Sequence, residues 1–230
     1  MPLTIGFFTT PGDFADPAFA LWSGVADAVR ERGINLISIL GAELRSQYGD
    51  RAQANTVFDL ATTENLDGLV FWGSPLSNFV GQAVFQSFCE RFQPLPMVSV
   101  GLAVNGIPCV LADNYQGMRA VINHLVEFHR CRRLVFILGP ETNNEVKDRY
   151  RAYTDVLNEH DIPFDADLVL PGNFEKSSGQ ATMRVLLDER KLHPGLDFDC
   201  VTAANDDMLI GALEVLQKRG THVPNDVVAA

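Results

Sequence analysis

The 230 residues are long enough for one large domain or two small ones, each with an ordinary core. Nearly half are apolar and a fifth charged, a globular composition, and no apolar run approaches the length of a membrane span. A formal charge of −11 disfavours direct binding to a phosphate backbone, which requires clustered Lys and Arg.

In chain order, apolar β-branched runs alternate with segments whose apolar residues recur at three and four positions, the grammar of β-α-β units on a parallel sheet. Leu3 to Thr10 reads as the first strand, and Pro11 to Pro17 as a loop. A helix follows with Phe19, Trp22, Val25, Ala26 and Val29 on its apolar face, ending at Gly33. Strand Ile34 to Leu40, a helix bearing Ala54, Val57, Phe58 and Ala61, strand Gly68 to Trp72 and a Gly73-Ser74-Pro75 turn come next. A helix over Phe79 to Phe92 and strand Met97 to Val100 complete the first half.

After the turn signal Asn105-Gly106-Ile107-Pro108 come a short strand, Cys109 to Ala112, and a helix opened by Asp113-Asn114 that is expected to bury Met118, Val121, Ile122 and Leu125. The pattern then restarts. Strands Leu134 to Leu138, Leu168 to Leu170 and Cys200 to Ala203 alternate with helices bearing Val146 to Leu157, Met183 to Leu187 and Met208 to Arg219. Residues 1–104 therefore form one expected lobe, 105–113 a crossover and 114–230 a second lobe. A strand begins at Val227 and breaks off, so the second lobe is expected to be incomplete.

Ligands of open parallel sheets collect outside the carboxyl ends of the strands. The loops there place aromatic and polar groups together: Asp13 and Phe14, Trp72 and Ser74, Phe174, Arg149 at the start of its helix, and Asn205 with Asp206. Rings beside amide, carboxylate and guanidinium groups suit a polyhydroxylated small molecule, with apolar faces and a hydroxyl rim. Each residue also has a plainer reading. Asn114 and Asp206 fit helix N-caps, Trp72 and Phe174 fit packing, and Arg149 could pair with Glu145 or Asp148 on its own helix.

Reaction chemistry has little support. There is no phosphate-binding glycine loop and no nucleophile elbow, and the five histidines lack metal-ligand spacing. The reading is no enzyme, no cofactor and no metal. Cys89, Cys109, Cys131 and Cys200 stand singly, as buried thiols in a reducing compartment do, and the start of the chain does not read as a signal peptide; a cytoplasmic location is expected.

Several stretches together resemble the effector-binding core of the lac repressor (LacI/GalR-type) family, whose fold is shared with type I periplasmic sugar-binding proteins. They are Asp113-Asn114-Tyr115-Gln116-Gly117, His124-Leu125 followed by Arg132 to Ile137, and Gly139. Arg149 with Ala152-Tyr153, Ala203 to Met208 with Gly211 to Leu213, and Val223 to Val227 complete the set. The resemblance implies an α/β fold of two Rossmann-like lobes with parallel sheets, closing on a small molecule. By position it makes Arg149, Phe174 and Asn205 or Asp206 ligand contacts of one lobe, and Asp13, Phe14 and Ser74 those of the other, beside the Trp72 that the loop reading adds. It also implies a homodimer.

The family's regulators carry a DNA-binding helix-turn-helix ahead of this core, whereas here the first strand starts at Leu3. Cores lacking that head serve as input domains of bacterial signalling proteins. The leading expectation is therefore a sensor whose output module, a histidine kinase or a diguanylate cyclase, lies outside this sequence. The alternative is the effector core of a DNA-binding transcriptional regulator. A third reading, an α/β enzyme with Asp206 or Asp113 as general base, lacks a matched partner group.

Overall fold

The computed structural model describes residues 2–11, 17–46 and 51–230. The chain folds as two compact units, Met1–Ala112 and Asp113–Ala230.

The first unit is built on a parallel five-stranded sheet, order β2-β1-β3-β4-β5. Its strands are β1 (Thr4–Thr9), β2 (Asn35–Leu40), β3 (Gly68–Trp72), β4 (Met97–Val100) and β5 (Cys109–Val110). Helix α1 spans Pro17–Glu31, α2 (Arg51–Ala54) runs into a 3-10 turn at Asn55–Leu60, and α3 (Gly73–Leu76) and α4 (Gln82–Glu90) follow β3. The core is aromatic. Phe8 stacks on Phe58 with centroids 4.7 Å apart and meets Phe71 and Phe92 edge-on at 5.2 and 5.0 Å, the offset and perpendicular arrangements that ring quadrupoles favour.

Two sequence expectations change here. The Gly73-Ser74-Pro75 turn is the single-turn helix α3, closed by the Ser77 N–H on the Gly73 carbonyl at 3.0 Å, and Gly73 packs so tightly that a Cβ would fall 2.8 and 2.9 Å from the Ser99 and Leu102 side chains. Helix α1 forms as periodicity predicts, yet none of its described side chains is fully buried. Phe19 and Trp22 stack at 5.8 Å but stay 38% and 37% exposed, and Trp22 Nε1 donates to Ser38 Oγ on the edge strand β2 at 2.8 Å. Period identifies the apolar face of a helix; the depth of what it rests on sets how much of that face leaves water.

The second unit holds a parallel four-stranded sheet, order β7-β6-β8-β9, from β6 (Leu134–Ile137), β7 (Val169–Leu170), β8 (Cys200–Ala203) and β9 (Val228–Ala229). Every residue of β6 and β8 is buried, as inner strands of a parallel sheet should be. Helices α5 (Asn114–Glu127) and α6 (Asn144–Glu159) pack on each other, as do α7 (Lys176–Arg184, prolonged by a π turn to Glu189) and α8 (Asp206–Lys218). On α5 the buried stripe is Ile122, Leu125 and Val126, while Met118 is only partly buried and Val121 is 36% exposed.

Three helix starts are capped by the same device, a side-chain oxygen accepting from the backbone N–H three residues on. Asp113 caps α5 at 3.0 Å, Asn143 caps α6 at 3.2 Å and Asn205 caps α8 at 3.1 Å. Asn114 and Asp206 each lie one residue inside their helices. The cap must keep non-helical backbone, as Asn205 does with φ −151° and ψ 167°.

The loops entering β8 and β9 repeat one motif. The His193 backbone N–H and imidazole Nδ1 both meet Asp197 Oδ2, at 2.7 and 3.1 Å; His222 and Asp226 do the same at 2.7 and 3.2 Å. The backbone N–H first, and then the imidazole, hold each carboxyl below the ordinary aspartate value of 3.8. A depressed folded-state value means that both pairs contribute stability above the unfolded-state value. That stability is lost as the pH falls through 3.8 and below. Denaturant unfolding as a function of pH should therefore show a shallower acid limb for Asp197→Asn/Asp226→Asn than for the parent.

Cys89, Cys131 and Cys200 are buried, and burial pushes the Cys89 thiol up to about 12. Cys109 departs from the expectation of buried thiols, being exposed on the short strand β5. Among the described residues no helix is long and apolar enough to cross a membrane, and no cluster of three His, Cys, Asp or Glu could hold a metal ion.

Candidate functional site

The carboxyl edge of the second sheet gathers the most organised polar groups. Arg149 lies on the second turn of α6, and its guanidinium is held from two further elements. Nε and Nη2 both donate to Asn114 Oδ1, at 2.9 and 2.6 Å, and Nη1 donates to the Ala204 carbonyl at the end of β8. Glu145 Oε2, one turn back on α6, is 3.5 Å from Nη2. Of the two carboxylates on its own helix, Glu145 is thus the one that pairs with Arg149, while Asp148 binds Arg151 at 3.0 Å. Arg149 turns inward, to 23% side-chain exposure. Two of its three hydrogen bonds go to one neutral amide oxygen and the third to a backbone carbonyl, so the guanidinium is fixed in plane while Glu145 at 3.5 Å answers its charge only partly.

Phe174 follows β7 through Pro171-Gly172-Asn173. Its φ of 71° is left-handed, a conformation that costs a non-glycine residue about 1 kcal/mol or more and persists only where the surroundings impose it. They do so at both backbone groups. The Phe174 N–H points to Met208 Sδ at 3.4 Å, and its carbonyl accepts from Asn205 Nδ2 at 2.9 Å. The ring lies over Gly139, where a Cβ would come within 2.6 Å of Cε1, and it packs partly buried against the core. Gly139 is thus a seat for the ring at the end of β6.

Asn205 is accordingly both cap and clamp. Asn205→Asp should keep the α8 cap, since an oxygen still accepts from Met208, but it replaces the donor to Phe174 by a carboxylate oxygen facing a carbonyl. Phe174 should then leave its left-handed conformation, read as increased amide exchange at Phe174 and Glu175 with α8 still protected. Asn205→Ala removes cap and clamp together and should cost about 1–2 kcal/mol in denaturant unfolding.

Arg149, Phe174 and Asn205 thus meet at one sheet edge, with Asp206 exposed on the first turn of α8, where its charge complements the helix dipole. In the first unit, Trp72 ends β3 half-buried and Ser74 is buried at 8% exposure within α3. Asp13 and Phe14 lie outside the described residues. Asp113, weighed as a general base, is engaged as the α5 cap. Sequence reasoning missed the role of Asn114, and the glycine at 139 was the visible sign of a group packed over the end of β6.

Residues 122–228 match the model of the periplasmic binding protein-like domain family. Over 219 residues, 93% of this chain and 59% of the relative, the sequence is 30% identical to the HTH-type transcriptional regulator CelR of Thermobifida fusca. The ribose operon repressor of Halalkalibacterium halodurans is also 30% identical, over 134 residues, 58% of this chain and 38% of that one. Among solved structures, the transcriptional regulator CelR in complex with cellobiose superposes with a TM-score of 0.74 at 28% identity, covering 98% of this chain and 66% of that one. The chain has the type I periplasmic-binding-protein fold and is similar to LacI/GalR-type effector-binding cores over nearly its whole length. The core spans less than two thirds of the length of those two curated relatives. Its fold is shared with transcription regulator CcpA of Lactococcus lactis, at a TM-score of 0.79 and 22% identity over 100% of this chain and 78% of that one.

Proposed function

We propose that this core is the effector-binding part of a DNA-binding transcriptional regulator and that its effector is a sugar. The observation that carries the sugar reading is the Arg149 clasp. A guanidinium locked in plane by Asn114 and Ala204, on the same sheet edge as the clamped ring of Phe174, offers directional donors and an apolar platform. Adjacent hydroxyls suit the first and the C–H face of a pyranose or furanose suits the second. Asp206 adds acceptors at the start of α8.

The regulator reading is supported by the relatives, which are transcriptional regulators and include one matched over nearly the whole chain. This favours it over a histidine kinase or diguanylate cyclase output. A sugar moves such a regulator between two states only by binding one of them more tightly.

Calorimetry tests the effector, with cellobiose, ribose and a panel of other mono- and disaccharides as one arm and nucleosides and amino acids as the other. Saturable heat with a sugar is expected; heat confined to the second arm, or none at all, overturns the sugar assignment. The flanking reading frame tests the output. A helix-turn-helix segment there is expected, and a kinase or cyclase module would overturn the regulator reading.

A further inference from the structure

We infer that Asn114 is the positioning residue of the effector site, fixing the Arg149 guanidinium and holding it back from a close, charge-assisted hydrogen bond with Glu145. The inference rests on the reading of Arg149 as an effector contact. An arginine has two bidentate edges, Nε with one Nη and the two Nη together. Asn114 Oδ1 occupies the first edge through both of its N–H groups, and the Ala204 carbonyl takes Nη1. The plane of the guanidinium is thereby set by the first residue of α5 and the end of β8, two elements outside its own helix.

Among the described residues the carboxylate paired with Arg149 is Glu145, 19% exposed, and at 3.5 Å the pair is longer than a charge-assisted hydrogen bond. Positions i and i+4 of a helix face each other, so an untethered Arg149 would close on Glu145 and lose its pull on effector oxygens. An asparagine suits the holding role because its oxygen accepts two N–H bonds without adding a countercharge. It is available for that role because Asp113, not Asn114, caps α5.

The test combines an effector-free readout with affinity. The Arg149 Nε–H resonance, identified by its absence in Arg149→Lys, should exchange slowly with water in the parent and rapidly in Asn114→Ala. By calorimetry, Asn114→Ala should weaken the sugar bound by the parent about tenfold, the scale of one charge-assisted hydrogen bond. Asn114→Asp should keep the Nε–H signal yet also weaken binding, because it neutralises the guanidinium. Asn114→Ala/Glu145→Gln should recover part of the affinity lost in Asn114→Ala, a rescue that a merely structural role for Asn114 would not give.

An unchanged Nε–H signal in Asn114→Ala, or no rescue in the double variant, overturns the inference. If the parent binds no sugar, the proposed function fails, while the Nε–H comparison still decides whether Asn114 holds Arg149.

Discussion

Gly211→Ala is expected to destabilise the second unit by about 3 kcal/mol or more, at the upper end of what overpacking costs. A Cβ at Gly211 would stand 2.1 Å from the Lys176 carbonyl oxygen, and one at Gly179 would stand 1.9 Å from that of Met208. The obstructing atoms are backbone in both cases. A rotamer change cannot clear them; the whole of α7 must move off α8. The ion pair of Lys176 with Glu214 at 2.6 Å and the Gln180 to Glu214 hydrogen bond at 2.8 Å span that contact and would stretch with it.

Thermal unfolding followed by circular dichroism should show a fall in Tm of about 10 °C. Gly24→Ala is the control, because nothing lies within 4 Å of the added carbon and the site is in mid-helix. It should be neutral or slightly stabilising. A Gly211→Ala variant as stable as the parent would mean that the two helices do not cross in backbone contact. The displacement has a second consequence. Met208 receives the Phe174 N–H and starts the buried face of α8, so moving α8 also disturbs the carboxyl edge where Phe174 is clamped.

Arg149→Ala is expected to weaken sugar binding about a hundredfold, since hydrogen bonds to a charged group are worth about 1.5–3 kcal/mol and two are available to adjacent hydroxyls. Stability should fall as well, because Asn114 Oδ1 and the Ala204 carbonyl both lose a donor. Arg149→Lys separates charge from geometry. An ammonium keeps the charge but cannot span Asn114 and Ala204 while presenting a planar fork, so most of the affinity should be lost with the charge retained. Calorimetry on variants shown to be folded checks both. Undiminished binding by folded Arg149→Ala would place the effector away from this edge.

Much of this architecture was legible in residue pattern. Strands Gly68–Trp72, Met97–Val100 and Cys200–Ala203 coincide with the apolar runs, because an inner strand of a parallel sheet is buried on both faces and its sequence shows it. The helix starts were displaced by one residue. Asp113-Asn114 and Asn205-Asp206 each offer two capping residues in succession, and only backbone conformation selects the first of each pair. Residue types at strand ends pointed to Arg149, Phe174 and Asn205 without saying what holds them.

The sequence alone determined the alternation of strands and helices, the loops at the carboxyl ends and the resemblance to a family, because these depend on local period and residue order. Tertiary structure decided which of the polar groups were engaged and with what. Asn114 meets Arg149 across 35 positions and Asn205 meets Phe174 across 31. Such partners are chosen by how elements pack, which local pattern does not encode. The depth of α1 and the tight crossing of α7 and α8 belong to the same class: periodicity assigned their apolar faces, and three-dimensional packing set how closely anything approached them.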